Sequence, residues 1–239
     1  MGDDERTLAI EVGDDVGEVP AVLRRPDGAT ATVVVAHGAG AGKDHPFLTG
    51  FCRALGDLGV ATVRFDFPYR VAGRRFPDRP PVAIATWRAV MHAARAEAAA
   101  GEAVWASGKS FGGRMASMAV AEGMDAAGLV FLGYPLHPPG RPEKSRDEHF
   151  PRLVGAPMLF LQGRNDPFAI PNEQLDRLVA GLAPSAVLKW VEGANHSFEV
   201  KGAKRPAAEV GAGLAPRVAE FVAAHARPAP RAAPATRHP

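Results

Sequence analysis

The stretch Ala103-Val104-Trp105-Ala106-Ser107-Gly108-Lys109-Ser110-Phe111-Gly112-Gly113-Arg114 joins a short apolar run to a helix-forming segment through a glycine-flanked serine. Gly108 to Gly112 fits G-x-S-x-G, the sharp strand-to-helix turn that lifts a serine hydroxyl above a sheet. Such a turn is crowded, so glycines are needed where side chains would meet neighbouring backbone, and Gly113 adds another small residue. The start of the following helix would aim unpaired N–H groups and partial positive charge at negative charge developing near Ser110.

The same residues end a phosphate-binding pattern, G-x-x-x-x-G-K-[ST]. Its leading glycine would be position 103, which is Ala103, and Val104 to Ser107 read as strand interior instead of a glycine-rich cradle. A nucleotide-binding P-loop is therefore a remote alternative.

On either side of this turn, β-branched apolar runs alternate with longer amphipathic stretches, the pattern of a mostly parallel sheet with crossover helices on both faces. Strands are expected at Ala31–Ala36, Val60–Phe65, Ala103–Ala106, Gly128–Leu132, Met158–Leu161 and Ala186–Val191, each buried on both faces. Thr7–Val12 and Glu18–Leu23, separated by Gly13-Asp14-Asp15, read as an antiparallel edge hairpin. Helices are expected at Phe47–Leu58, Val82–Ala99, Phe111–Glu122, Asn172–Leu182 and Ala208–Ala224. The fold class is α/β, in one domain over residues 19–225. An acidic segment with the first edge strand precedes it (1–18), and a Pro/Ala/Arg-rich tail expected to be disordered follows it (226–239).

A serine hydroxyl needs a general base to take its proton and a third group to hold that base in the right tautomer. With a nucleophile on such a turn, the acid and then the histidine follow it in the chain. Asp166, in Gln162-Gly163-Arg164-Asn165-Asp166-Pro167, follows the strand at Met158–Leu161. His196, in Gly193-Ala194-Asn195-His196-Ser197-Phe198, follows the last strand. Groups beyond the carboxyl ends of neighbouring strands converge on one rim. His137 and His149 precede the acid, and His225 and His238 fall in the last helix end and the tail. The plainer readings are a turn-capping Asp166 and an ordinary loop His196. His37-Gly38-Ala39-Gly40 follows the first parallel strand, where the backbone N–H of Ala39 would join that of Phe111 in an oxyanion hole. His37 reads as an orienting or packed residue, and Gly108, Gly112 and Gly38 shape the site.

Composition excludes several classes. A charge of +2 from 28 basic and 26 acidic residues offers no field for nucleic acid. No run approaches the length needed to cross a bilayer. Cys52 stands alone, so no intrachain disulfide can form, and the acidic start lacks a secretory pattern; a cytoplasmic location is expected. No cofactor or metal is implied.

Through this turn, the acid and histidine positions and His37-Gly38, residues 19–225 resemble the α/β-hydrolase superfamily. Within it the chain is similar to a dienelactone-hydrolase-like group of small bacterial proteins, related to a testis-expressed protein and to a scaffold subunit of a histone-acetyltransferase complex. The closer likeness rests on Ala36 to Gly40, Arg64 to Arg70, Gly108 to Arg114 and Tyr134 to Pro138. It implies the fold and hydrolysis, and its eukaryotic relatives imply a non-catalytic binding or scaffold protein as the alternative. Dienelactone hydrolases proper use a cysteine nucleophile where this chain has Ser110, so no dienelactone substrate is carried over.

The expected activity is that of a serine hydrolase acting on an ester or related acyl bond of a small molecule. About two dozen residues separate the strands ending at Leu132 and starting at Met158, too few for a large cap domain. An open pocket bordered by the loops Phe67–Pro81 and Tyr134–Phe150 is expected. Arg70, Arg74, Arg75 and Arg141 on these loops read as solvated charges, with recognition of an anionic substrate as the alternative.

Overall fold

In the computed structural model, which describes residues 5–13, 16–153, 155–182 and 184–225, eight strands form one sheet in the order β1-β2-β4-β3-β5-β6-β7-β8. The strands are β1 (Glu5–Glu11), β2 (Glu18–Arg24), β3 (Ala31–Ala36), β4 (Ala61–Phe65), β5 (Ala103–Lys109), β6 (Leu129–Leu132), β7 (Met158–Gly163) and β8 (Ala186–Val191). The β1–β2 hairpin is antiparallel and joins β4 antiparallel, whereas β3 to β8 are parallel. The tail from residue 226 lies outside the described residues. Among the described residues, no helix is long and apolar enough to cross a membrane.

Side chains alternate across a strand, and here the two sets enter two separate cores. Val34, Val63, Phe65, Ala106, Phe131 and Phe160 pack with Trp87 and Met91 of α3 (Pro80–Glu97), following α1 (Pro46–Asp57) and α2 (Pro68–Val71), and with Met115 of α4 (Phe111–Ala121). Leu175 of α5 (Asn172–Gly181) joins the same layer. On the other face, Val33, Val35, Trp105, Val130 and Leu161 meet Phe51 and Leu55 of α1. They also meet Val210 of α6 (Ala207–Ala212) and Val218 and Phe221 of α7 (Ala215–Ala224).

Three expectations are corrected. Ala186–Val191 is the outer strand and is only half-buried with Lys189 exposed, because among the described residues it has one neighbouring strand instead of two. The stretch expected as one helix at Ala208–Ala224 is two, α6 and α7. Pro216 occupies the first turn of α7, where its missing N–H costs nothing; inside one continuous helix it would break the ladder. Separated in this way, α6 can lie directly on α1. A Cβ on Gly211 would fall 2.0 Å from the Phe47 carbonyl oxygen, so the two backbones touch. Finally, β5 continues past Ala106 to Lys109, pairing Ser107 to Lys109 with Val130 to Leu132. With Val104 to Ser107 inside a central strand, no phosphate cradle precedes Lys109, and the P-loop alternative falls.

Candidate active site

At the end of β5 the chain turns sharply at Ser110, which has φ 49° and ψ −114°. Positive φ in a non-glycine residue is strained, and the surroundings must hold it. The Ser110 N–H donates to the Leu132 carbonyl at 3.1 Å, and the Arg114 N–H donates to the Ser110 carbonyl at 3.0 Å. Both flanking glycines answer to crowding. A Cβ at Gly108 would lie 2.3 Å from the Gly113 nitrogen, and one at Gly112 would lie 2.7 Å from the His37 carbonyl oxygen.

Beyond β7, Asp166 is fully buried. Its Oδ1 accepts from the Phe168 N–H at 2.9 Å, so it does brace the turn. Its Oδ2 accepts from Gln162 Nε2 at 2.6 Å and lies 2.7 Å from His196 Nδ1. Beyond β8, a tight turn presents His196. Asn195 Oδ1 accepts from the N–H groups of Ser197 and Glu199, and Phe198 takes φ 62°. The Phe168 ring lies 4.3 Å, centroid to centroid, from the imidazole. His196 Nε2 reaches Ser110 Oγ at 2.9 Å. Because Asp166 Oδ2 can only accept, Nδ1 carries a proton and Nε2 of the neutral ring is free to accept one from Ser110. Burial pushes the His196 pKa below its ordinary value, against the pull of the Asp166 hydrogen bond, and the Lys109 charge pushes the same way as burial.

The loop after β3 runs beside Ser110. His37 is fully buried; its Nε2 accepts from the Phe67 N–H at 3.1 Å and its Nδ1–H donates to the Gly38 carbonyl at 2.8 Å. Burial lowers its pKa, and both nitrogens are engaged, so His37 braces the loop as a neutral ring. The Tyr69 hydroxyl donates to the Ala39 carbonyl at 2.7 Å. The Ala39 N–H has no hydrogen-bond partner among the described residues, and the Phe111 N–H, first in α4, has no intrahelical carbonyl to bond.

Lys109, the residue between Gly108 and Ser110, was not singled out by sequence. Its Nζ donates to the His196 carbonyl at 2.6 Å and lies 5.5 Å from the Phe198 ring centroid. Burial pushes its pKa down to about 8, against the pull of Asp166. Gln162 and Phe168 were missed as well, although Gln162 is a polar residue at the end of an apolar strand four positions before the acid.

Ser110 and His196 open into a cavity of about 450 Å³ whose walls include Ala39, Phe47, Leu48, Phe168 and Val210. This corrects the expected borders: the loops Phe67–Pro81 and Tyr134–Phe150 do not line it. Tyr69 is drawn inward and turns residues 70–76 out to solvent, while Tyr134 and Phe150 fold down onto Phe131 and Phe160. Arg70, Arg74, Arg75 and Arg141 line no part of it either, and Arg74 pairs with Asp78 at 2.6 Å.

A second serine–histidine contact exists, Ser117 Oγ to His149 Nε2 at 2.8 Å. Both residues are buried, the Ser117 hydroxyl donates to the Arg114 carbonyl, and burial pushes the His149 pKa down to about 4. With its proton committed to the helix and neither residue lining the cavity at Ser110, this pair is a packing contact. Among the described residues, no cluster of three or more His, Cys, Asp or Glu side chains is placed to hold a metal ion.

A family model described as an alpha/beta hydrolase domain matches residues 29–223. Among solved structures, the chain is similar to an α/β serine hydrolase without a lid from Xanthomonas campestris, at 21% identity over 96% of this chain and 99% of that one, with a TM-score of 0.72. It is also similar to a dienelactone hydrolase from Anabaena variabilis, at 22% identity over 93% and 98%, with a TM-score of 0.71. A third is an alpha-beta serine hydrolase homologue from Coxiella burnetii, at 23% identity over 80% and 88%, with a TM-score of 0.64.

Proposed function

This chain belongs to the alpha/beta hydrolase family, and on that footing we propose that it is a serine hydrolase cleaving an ester or related acyl bond through Ser110, His196 and Asp166. The observation that carries the reading is one imidazole bonded at Nε2 to Ser110 Oγ and at Nδ1 to a buried carboxylate. Ser110 Oγ attacks the acyl carbon as His196 Nε2 takes its proton, and Asp166 steadies the imidazolium that forms. The N–H groups of Phe111 and Ala39 receive the oxyanion; losing one such donor typically costs roughly 3 kcal/mol of transition-state stabilisation. Collapse of the intermediate expels the leaving group, which takes the proton from His196. Water then releases the acid by the same steps in reverse roles. A cavity walled by Phe47, Leu48 and Val210 suits a modest apolar acyl group.

Incubation with a fluorophosphonate probe, followed by peptide mapping, tests the reading. One adduct on Ser110 is expected; folded protein that stays unlabelled would leave the binding-module alternative. The probe's pH dependence follows from the base. Only neutral His196 can accept the proton, and its pKa is depressed, so the labelling rate should rise with pH through a midpoint below 6.5 and reach its plateau by neutrality. A profile flat from pH 5 to 8 would remove His196 from the role of base.

A further inference from the structure

Lys109 lies beside the reacting groups with its ammonium directed at main chain instead of at a carboxylate. It forms no ion pair among the described residues; its short bond goes to the His196 carbonyl, and the Phe198 ring lies under its charge. Gly133 closes the other side: a Cβ there would sit 3.2 Å from Nζ. Lys109 is half-buried and borders the cavity that Ser110 and His196 open into, with a carbonyl in place of a counter-charge. We propose that Lys109 is a positioning residue, which tethers the His196 turn through its main-chain carbonyl and sets its positive charge beside the imidazole.

The tether has a geometric logic. The His196 ring is held at Nδ1 by Asp166 and packs on Phe168, but these contacts fix the ring and not the main chain behind it. The turn that carries it bonds to itself through Asn195 and Glu199 and, at Gly193 and Ala194, to Asn165 beyond β7. Lys109 fixes the His196 main chain directly to β5, the strand that carries Ser110, so nucleophile and base share one rigid support. A charge-assisted bond of this kind is stronger than a neutral one. The electrostatic part runs in the same direction as burial, since a cation nearby disfavours a second cation on the imidazole. Asp166 beyond β7 favours the charged form of this ammonium, and the other ionisable groups around the same cavity are His45, His196 and Glu199.

Because burial brings the ammonium's own discharge down to about 8, the tether weakens within an accessible pH range. The inference rests on the serine-hydrolase reading only for its rate readout, so two measurements are paired. The first is the pH dependence of the fluorophosphonate labelling rate; the second is the titration of the His196 ring followed by NMR, which needs no turnover. In the wild type, the rate should step down as pH passes about 8, and the His196 ring signals should show a second inflection there. Lys109→Met should lower the limiting labelling rate about tenfold without weakening probe binding, abolish both alkaline features and move the His196 midpoint upward. Lys109→Arg, whose guanidinium stays charged past pH 12, should retain most of the rate and also lack the alkaline step; it decides the matter if the methionine variant does not fold. An alkaline step that persists in the arginine variant, or a His196 titration indifferent to residue 109, overturns the proposal. Wild-type protein that resists the probe while its His196 ring reports Lys109 would sink the hydrolase reading alone.

Discussion

Replacing Ser110 by alanine should lower the rate on any ester that the wild type hydrolyses by roughly 10⁶-fold and abolish fluorophosphonate labelling. Ser117→Ala should leave both readouts in place. The two serines make the contrast informative, since each contacts a histidine Nε2 within 2.9 Å. They differ in what surrounds the pair. Ser110 opens onto the cavity, its histidine is backed by a buried carboxylate, and its backbone is strained in a way the elbow sustains. Ser117 is sealed under the 134–150 loop with its proton bonded to the helix. Its loss should appear in thermal unfolding, at about 1 kcal/mol for a buried hydrogen bond, and not in turnover. Alanine at 110 removes only Oγ and leaves the elbow's backbone bonds in place, so circular dichroism should be unchanged. An adduct mapped to Ser117, or undiminished turnover by the Ser110 variant, would refute the assignment.

The sheet was legible because parallel strands buried on both faces spell continuous apolar runs, and Ala31–Ala36 and Met158–Leu161 stand out without any knowledge of their neighbours. That Ser110, Asp166 and His196 meet at one rim was legible through chain order and position at strand ends, which need only the topology. Features that depend on which elements touch were not. Whether Ala186–Val191 lies inside or at the edge turns on whether another strand pairs beyond it, which its own residues do not encode. The cavity walls come from α6 resting on α1, an approach set by Gly50 and Gly211 in helices more than 150 positions apart. Pro216, which frees α6 from α7, was in plain view but overridden by the apolar periodicity around it. Lys109, inside the motif itself, entered the sequence reading only through the phosphate-binding pattern, because its partner is a main-chain carbonyl 87 residues away.

Asp166→Asn should cost roughly 10⁴-fold in turnover, the scale seen when an isosteric amide replaces a triad carboxylate, while probe binding stays near the wild-type level. The carboxylate takes three donors: Gln162 Nε2–H and His196 Nδ1–H on Oδ2, and the Phe168 N–H on Oδ1. An asparagine has one oxygen and one NH₂ to place among them. With its oxygen toward His196 and Gln162, the NH₂ faces the Phe168 N–H, donor against donor, and the turn that braces the acid is lost. With the NH₂ toward His196, Nδ1 must accept, the ring proton moves to Nε2, and the ring presents a donor to Ser110 in place of a base. Either arrangement leaves a buried donor unpaired, which should lower stability by about 1 to 3 kcal/mol. No charge then balances the imidazolium, so the variant's midpoint should fall further below the wild type's, the Asp166 bond being what raises the His196 pKa against burial. Steady-state kinetics across pH, read beside an urea unfolding curve, separates the two costs. An asparagine variant that folds, turns over within tenfold of the wild type and keeps its midpoint would show that His196 acts without Asp166, and the catalytic assignment of that carboxylate would have to be abandoned.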